Sequence, residues 1–311
     1  MYNVIYRLFY ANEQEKYIMK QCPKCKAISK YEDANFCTKC GADLRISSPP
    51  APPSFNLKEL VQQLAPFKVH RNPDGVTYTI IGVTNQYLET AEIPNVVTDI
   101  GSYAFYDCKY LTSVTIPDSV KSIDNLAFRN CSSLTSIVIP NSVTYIGDEA
   151  FSYCGSLVSV TIPDSVNYIG PRAFNECISL TSVTIPKHVR HIKSSAFHNC
   201  HSLQSVVIPN GMISIESAAF RYCSSLMSVT IPNSVTSIGE SAFQECSSLQ
   251  DIIIPSSVIS IGENAFQHCK SLRSVTIPDS VQEIGKNAFA DCPSLTDINA
   301  PHRFLNQFLY M

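Results

Sequence analysis

The residues best suited to chemistry are four cysteines near the start of the chain. Cys22 and Cys25 form one C-x-x-C pair, and Cys37 and Cys40 form a second pair after eleven intervening residues. Two such turns present four thiolates, the number that a tetrahedral structural zinc site requires. We therefore expect these four side chains to bind one Zn²⁺ ion. Because four thiolates leave no open coordination position, the predicted site is structural and not catalytic.

The segment that must position these cysteines is predicted to span residues 19–46. It resembles the short zinc ribbons found at the N-termini of many bacterial proteins, including the ending Phe36-Cys37-x-x-Cys40-Gly41. Residues 20–45 carry six lysines and arginines against three acidic residues, and this excess of positive charge would attract phosphates weakly. The ribbon is interpreted as an accessory module, with docking to nucleic acid or a ribosome as the alternative.

The regions on either side of the ribbon have simpler compositions. Residues 1–18 are interpreted as a non-native or disordered extension, with Met19 as the natural start. Residues 47–54 are rich in proline and predict an extended linker. Residues 55–87 predict a cap, in which a helix after Asn56 precedes two strands joined at Asn72-Pro73-Asp74-Gly75. Its apolar helix face would consist of Leu57, Leu60, Val61 and Leu64.

The rest of the chain is a repeat with a period of 23 residues. The Ala-Phe pair that marks it starts at Ala104, Ala127, Ala150, Ala173, Ala196, Ala219, Ala242, Ala265 and Ala288. Counted from their leucines, nine full units and a partial one occupy residues 88–301. A fixed period of this length is typical of a solenoid, in which each unit packs on its neighbours. Residues 302–311, with Phe304, Leu305, Phe308 and Leu309, predict a helix that covers the last unit.

Each unit predicts a strand, a turn and a compact apolar arc. Leu-x-Ser-Val-x-Ile-Pro alternates inward and outward residues and ends at proline. Pro-Asp-Ser or Pro-Asn-Ser predicts a turn held by local side-chain bonds, and Ala-Phe predicts a short helical turn. The cysteine that follows recurs nine times. Stacked strands would bring these cysteines within disulfide range, but we favour reduced, buried thiols that donate weakly to carbonyl oxygens.

The pattern L-x-x-V-x-I-P-x-x-V-x-x-I-G-x-x-A-F-x-x-C-x-x resembles the 23-residue leucine-rich repeat of the BspA type. The resemblance implies an α/β repeat solenoid, a right-handed array with a parallel sheet on its concave side. Secreted members of the family are bacterial surface proteins that bind host or partner-cell proteins. Because the sequence shows no export signal, wall anchor or apolar run of membrane-spanning length, we predict a cytoplasmic protein. A surface adhesin exported by a non-standard route is the alternative.

Two sets of residues are candidates for ligand binding. The first set lies at outward strand positions, where small hydroxyl side chains form a flat, uncharged surface: Ser113, Thr115, Ser136, Ser159, Thr161, Ser182, Thr184, Ser205, Ser228 and Thr230. The second set is basic and lies within one unit: His188, Arg190, His191, His198 and His201. In this unit His191 should continue a ring ladder begun by Tyr145 and Tyr168, and the patch could sense pH or bind an anion.

The whole sequence favours a binding protein over an enzyme. The net charge is -3 at pH 7, so no global positive field points to nucleic acid. The period contains no nucleophile motif or phosphate loop. We therefore predict a non-enzymatic, monomeric protein-interaction module with a structural zinc ribbon and a protein partner whose identity the sequence does not give. The alternative is a nucleic-acid or ribosome docking factor that uses the repeats as a scaffold.

Overall fold

The structure is a computed structural model that describes residues 20–21, 28–29 and 57–304. The chain divides into two compact units, Met1–Leu60 and Val61–Met311. In the first unit, β1 (Lys20–Gln21) and β2 (Ile28–Ser29) pair in an antiparallel direction, Lys20 opposite Ser29. The second unit holds the repeats.

A helix and a hairpin precede the repeats. The helix α1 spans Leu57–Leu64, β3 spans Phe67–Arg71 and β4 spans Tyr78–Val83. The two strands pair in an antiparallel direction, and Gly75 takes a positive φ of 70° in the turn between them. One detail of the prediction is wrong, because Val61 is 62% exposed and does not belong to a buried helix face.

The repeats form two parallel ladders, where the sequence predicted a single sheet. We call the three-residue strands at the start of each coil the front ladder: β5 (Thr90–Glu92), β7 (Ser113–Thr115), β9 (Ser136–Val138), β11 (Ser159–Thr161), β13 (Ser182–Thr184), β15 (Ser205–Val207), β18 (Asp251–Ile253), β20 (Ser274–Thr276) and β22 (Asp297–Asn299). We call the second set the back ladder: β6 (Val97–Ile100), β8 (Ser122–Ile123), β10 (Tyr145–Ile146), β12 (Tyr168–Ile169), β14 (His191–Ile192), β16 (Ser214–Ile215), β17 (Ser237–Ile238), β19 (Ser260–Ile261) and β21 (Glu283–Ile284).

Both ladders keep the 23-residue register of the sequence. In the front ladder Ser159 lies opposite Ser136, and in the back ladder Tyr168 lies opposite Tyr145. One coil has no front strand, but Ser228 bridges its neighbours on both sides. The hairpin strand β4 pairs in parallel with β6, so the predicted cap covers the first edge of the back ladder.

The Ala-Phe segment is an arc of turns and not the helical turn that the sequence predicted. Two residues of each arc have left-handed backbone, such as Leu126 with φ of 58° and Asn130 with φ of 62°. Alternate amides bond within the coil and to the next one: Cys131 N–H donates to Phe128 O at 3.2 Å, and Phe128 N–H donates to Ala150 O at 2.7 Å. The repeats are therefore a β-solenoid, and the α component of the predicted class is wrong for them.

A continuous stack of phenylalanine rings fills the interior along the arc. Nine rings lie parallel, from Phe105 to Phe289, with centroids 4.8 to 5.5 Å apart. Phe67 of β3 closes the first end, with its ring edge on Phe105 at 6.1 Å. At the other end Phe304 is buried. Residues 302–304 form a single 3₁₀ turn, and the rest of the predicted C-terminal helix lies outside the described residues.

Three of the turn serines, Ser119, Ser165 and Ser257, donate between coils, which corrects the local bonding predicted for them, whereas Ser142 Oγ and Ser280 Oγ have no partner among the described residues. Ser119 Oγ donates to Val97 O at 2.6 Å, one coil earlier. Ser165 makes the same bond to Val143 O at 2.7 Å. These hydroxyl groups therefore stabilise the stacking of coils as well as the turn in which they lie.

Within residues 57–304 the back ladder is interrupted at one place, between β12 and β14. In a regular coil, an N–H such as that of Gly170 donates to the preceding coil at 2.9 Å, whereas that of Lys193 does not. Glycine is common at this position because a β-carbon on Gly170 would lie 2.6 Å from Asp148 N. Lys193 has a β-carbon at this position, and the residue that faces it on the preceding coil is Pro171. Glu216 occupies the same position one coil later and faces a serine, and its N–H still donates to the preceding coil. We attribute the gap to this combination of lysine and proline.

Candidate functional site: the exposed face of the front ladder

All ten residues predicted to bind through the sheet lie on one exposed surface. The side chains at the third and fifth positions of each coil point away from the core along the front ladder, and most strands show an exposed-buried-exposed pattern, as in Ser136–Val138. We call this surface the front face. Its candidate residues are exposed: Ser113, Thr115, Ser136, Ser159, Thr161, Ser182, Thr184, Ser205, Ser228 and Thr230.

The front face is uncharged over its central coils. From Thr112 to Gln250 every side chain at the second, third and fifth positions is neutral. Charged side chains at these positions lie only at the two ends of the described ladder, in Glu89, Glu92, Asp251, Arg273 and Asp297. A ligand on the centre of this surface would gain nothing from long-range charge attraction and would depend on short-range contacts.

Apolar side chains lie among the hydroxyl groups of the front face. Val138 is 68% exposed, Val207 57% and Ile253 74%, all at the fifth position of their coils. Val158 and Met227 are exposed at the second position. The same three positions hold no aromatic ring between residues 88 and 299. This mixture of aliphatic and hydroxyl groups suits a protein surface better than the stacking of sugar rings.

The backbone of the front face is held by bonds between coils. Val158 N–H donates to Thr135 O at 2.9 Å, and Gln204 N–H donates to Thr181 O at 2.9 Å. The hydroxyl group of Thr112 adds a bond to Glu89 O at 2.9 Å. A surface ordered in this way before binding loses little conformational entropy when a partner covers it.

The structure separates the predicted histidine patch into two parts. His191 lies in the back ladder, where its Nδ1 is 2.8 Å from Ser214 Oγ. His198 lies on the arc, with Nδ1 3.0 Å from Asn175 Oδ1. His188 and Arg190 precede the back strand of this coil in the sequence, and His201 follows Cys200 at the end of the arc. The residues of the predicted patch therefore lie on different segments of the coil, and ligand binding by them stays a prediction.

The predicted ring ladder in the back strands is shorter than expected. Tyr145 and Tyr168 stack with centroids 5.0 Å apart and planes within 4°. His191 does not continue the stack, because the gap between β12 and β14 separates its coil from Tyr168. A small pocket with no room for a water molecule lies at this gap, lined by Ile169, Ile185, Val189, His191, Ile192, Lys193, Ala196 and Phe197. Lys193 is paired with Glu216 at 2.9 Å, and the remaining lining is mostly aliphatic.

The nine repeat cysteines are buried free thiols, as predicted. Each from Cys131 onward donates to a phenylalanine carbonyl of the preceding coil, as Cys154 Sγ does to Phe128 O at 3.2 Å. Burial raises the pKa of Cys154 to about 12, so the thiolate needed for nucleophilic or redox chemistry does not form near neutral pH. In the described parts of the chain, no three His, Cys, Asp or Glu side chains are placed to hold a metal ion.

The predicted zinc ligands Cys22, Cys25, Cys37 and Cys40 lie outside the described residues. The strands β1 and β2 are described, and they flank the first C-x-x-C pair in the sequence. Zinc binding by these cysteines stays a prediction.

Comparisons with known proteins identify the repeats. The model of the BspA type leucine rich repeat region matches residues 84–204 and 190–308. Three solved structures are similar to the chain. A leucine-rich repeat protein from Bacteroides ovatus is 25% identical, with 78% of this chain and 95% of that one covered and a TM-score of 0.42. A leucine rich cell surface protein from Faecalibacterium prausnitzii is 28% identical, with the same coverage and a TM-score of 0.38.

The third similar structure is the leucine rich repeat protein of T. pallidum, at 24% identity. The match covers 75% of this chain and 89% of that protein's chain, with a TM-score of 0.46. No curated protein matches the chain. Among the described residues, no helix is both long and apolar enough to cross a bilayer.

Proposed function

The chain belongs to the family of BspA-type leucine-rich repeat proteins, and from this premise we propose that it binds a protein partner on the front face. Repeat arrays of this kind are typically binding scaffolds without catalytic activity. The observation that carries the proposal is the neutral surface of hydroxyl and aliphatic groups on the central coils. The inward residues of each repeat are apolar because they form the packed core. The outward positions are therefore where recognition can differ between proteins.

The proposal predicts where a partner will be crosslinked. A photoreactive amino acid at Thr161 or Thr184, both exposed on the front face, should capture the same protein from cells that produce this chain. The matched controls are Thr144 and Thr236, which are also exposed threonines but lie just before the back strands. Capture of that protein at the control positions and not at the front positions would contradict the proposal.

We further propose that the four N-terminal cysteines, Cys22, Cys25, Cys37 and Cys40, bind one structural Zn²⁺. The antiparallel pairing of β1 and β2 around the first pair supports this, since it brings the chain back on itself there. The four sulfur donors match the preference of zinc, which would supply the folding energy that so short a segment lacks. A zinc module with excess lysine favours docking to nucleic acid as the second candidate function.

Zinc content tests the metal site, and salt-dependent retention on RNA tests the second function. We expect about one zinc per full-length chain, and none in the variant Cys37→Ser/Cys40→Ser. If the ribbon docks on nucleic acid, the wild-type chain will be retained on RNA at low salt and the variant will not. A variant with Lys68→Gln and Lys109→Gln, outside the ribbon, is the control. Zinc bound equally by the cysteine variant would contradict the assignment of ligands.

Neither of the two proposed functions determines where in the cell the protein is located. The family is often associated with cell surfaces, and the predicted cytoplasmic location stays a prediction.

A further inference from the structure

Arg221, on the arc, is a cation with no carboxylate partner in the part of the chain that the structure describes. Its Cζ lies 4.8 Å from the centre of the Tyr222 ring, and its Nη2 donates to Tyr222 Oη at 3.4 Å. Its Nε is buried and has no hydrogen-bond partner. Within residues 57–304, Arg221 forms no ion pair with a carboxylate. The buried Nε is out of reach of a ligand, so an external acceptor would bond the terminal N–H groups of this guanidinium.

A second arginine, four coils before Arg221, provides a comparison within the same chain. Arg129 occupies the same position in the repeat, since 221 − 129 = 92, which is four periods of 23. Its guanidinium lies near the ring of Tyr153 on the next coil, with Cζ 5.4 Å from the ring centre, and Glu149 forms an ion pair with it. At the equivalent positions beside Arg221, Ser241 replaces Glu149 and Glu245 replaces Tyr153. The carboxylate that pairs with Arg129 is therefore missing at its own position beside Arg221, and the ring that contacts Arg221 is that of Tyr222 on the same coil.

His198 lies beside the tyrosine that contacts Arg221. The ring of His198 meets Tyr222 edge-on at 5.7 Å. Burial is the largest cause of the lowered pKa of His198, and the positive charge of Arg221 is the second. Arg172 and His201 lower this pKa by smaller amounts.

Carboxylates near this cluster are engaged by other side chains. Glu176 raises the pKa of His198 and so opposes the cations, but its Oε1 accepts from the amide of Asn199. On the following coil, Glu245 lies 4.0 Å from His268. Arg172 is 3.6 Å from Glu149 and is therefore partly neutralised. The charge of Arg221 is left without such a partner.

We propose that Arg221, together with His198, binds an oxyanion of the phosphate type. A guanidinium is suited to this because its parallel N–H groups match two oxygens of a tetrahedral anion. Tyr222 holds the guanidinium in place from one side. We call this the Arg221 site. It lies on the arc and does not depend on the function proposed for the front face.

The Arg221 site predicts that the full-length protein binds inorganic phosphate. Calorimetric or NMR titration should give a binding constant that falls by about tenfold or more in Arg221→Gln, because a charge-assisted contact is lost. The control is Arg129→Gln, which removes the equivalent arginine and should leave phosphate binding unchanged. Phenyl phosphate serves as a second probe. Tighter binding of it than of phosphate would indicate an aromatic phosphate ester as the ligand, and equal binding would indicate the free anion.

A second variant keeps the test valid if Arg221→Gln does not fold. Ser241→Glu restores the internal carboxylate, and the backbone accepts it because Ser241 and Glu149 have φ of 54° and 55°. We expect this variant to have a higher melting temperature and to lose phosphate binding. The proposal is wrong if the wild-type protein does not bind phosphate, or if Ser241→Glu binds it as well as the wild type does.

Discussion

Replacing Phe197 by alanine is expected to lower the free energy of unfolding by about 3 to 5 kcal/mol. Phe197 lies in the middle of the ring stack, 5.4 Å from Phe174 and 5.5 Å from Phe220. It is 1% exposed, so truncation removes apolar contacts on both sides and leaves a cavity between coils. Stability in a solenoid depends on contacts between neighbouring units, and this ring contributes to two of them.

Denaturant unfolding followed by circular dichroism measures this effect. Val138→Ala is the control, because that side chain is 68% exposed and its loss should change stability by less than about 0.5 kcal/mol. Phe197→Leu should fall between the two. A loss below about 1 kcal/mol for Phe197→Ala would mean that the ring stack does not stabilise the array as described.

The second large effect is a loss of stability in alkaline solution. Burial raises the pKa of the repeat cysteines from a usual value of 9.0, to about 12 for Cys154. A folded pKa above the unfolded one stabilises the protein fully below pH 9 and progressively less as the pH rises toward the folded value. In this window each buried thiol removes about 1.4 kcal/mol of stability per pH unit. Several such thiols together should unfold the array abruptly.

Stability measured at several pH values above 9 tests this prediction. Tyrosine and lysine also titrate in this range, so the informative comparison is Cys154→Ala/Cys246→Ala, which removes two fully buried thiols. The alanine variant should be less stable at neutral pH, because two sulfur-carbonyl bonds are lost, but its stability should fall less steeply with pH. Identical slopes for the two proteins would show that the thiols do not govern alkaline unfolding.

Much of the fold could be predicted because the period repeats every physical constraint nine times. The inward positions of Phe128, Cys131 and Ile123 follow from their constant apolar type, and the structure confirms that they are buried. The hairpin around Gly75 follows from its turn residues. The reduced state of the cysteines follows from their odd number and common direction, and their burial agrees with it.

The arc could not be predicted because its local sequence favours helix. Ala127 and Leu126 are good helix formers, but the chain must rise to the next coil within one circuit. Alternate amides therefore bond to that coil, and Leu126 takes a left-handed backbone that no propensity scale assigns to leucine. The back strands were missed for a related reason, since two residues such as Tyr145–Ile146 are too short to show alternation.

The candidate surfaces were predictable to different degrees. Front-face residues such as Thr161 were predicted correctly as exposed, because strand alternation fixes their direction. The histidines were grouped by distance in sequence, which says little about distance around a coil. Arg221 was missed, although comparing each charged residue with its equivalents 23 residues apart would have revealed that Ser241 replaces Glu149.

The most direct test of the central claim is the affinity of the crosslinked partner for two charged variants. Thr161→Arg/Thr184→Arg places charge on the neutral centre of the front face, and Thr144→Arg/Thr236→Arg adds the same charge beside the back ladder. We expect the front variant to bind about 100-fold more weakly and the back variant to bind as the wild type does. Equal binding by the front variant and the wild type would contradict recognition through the front face.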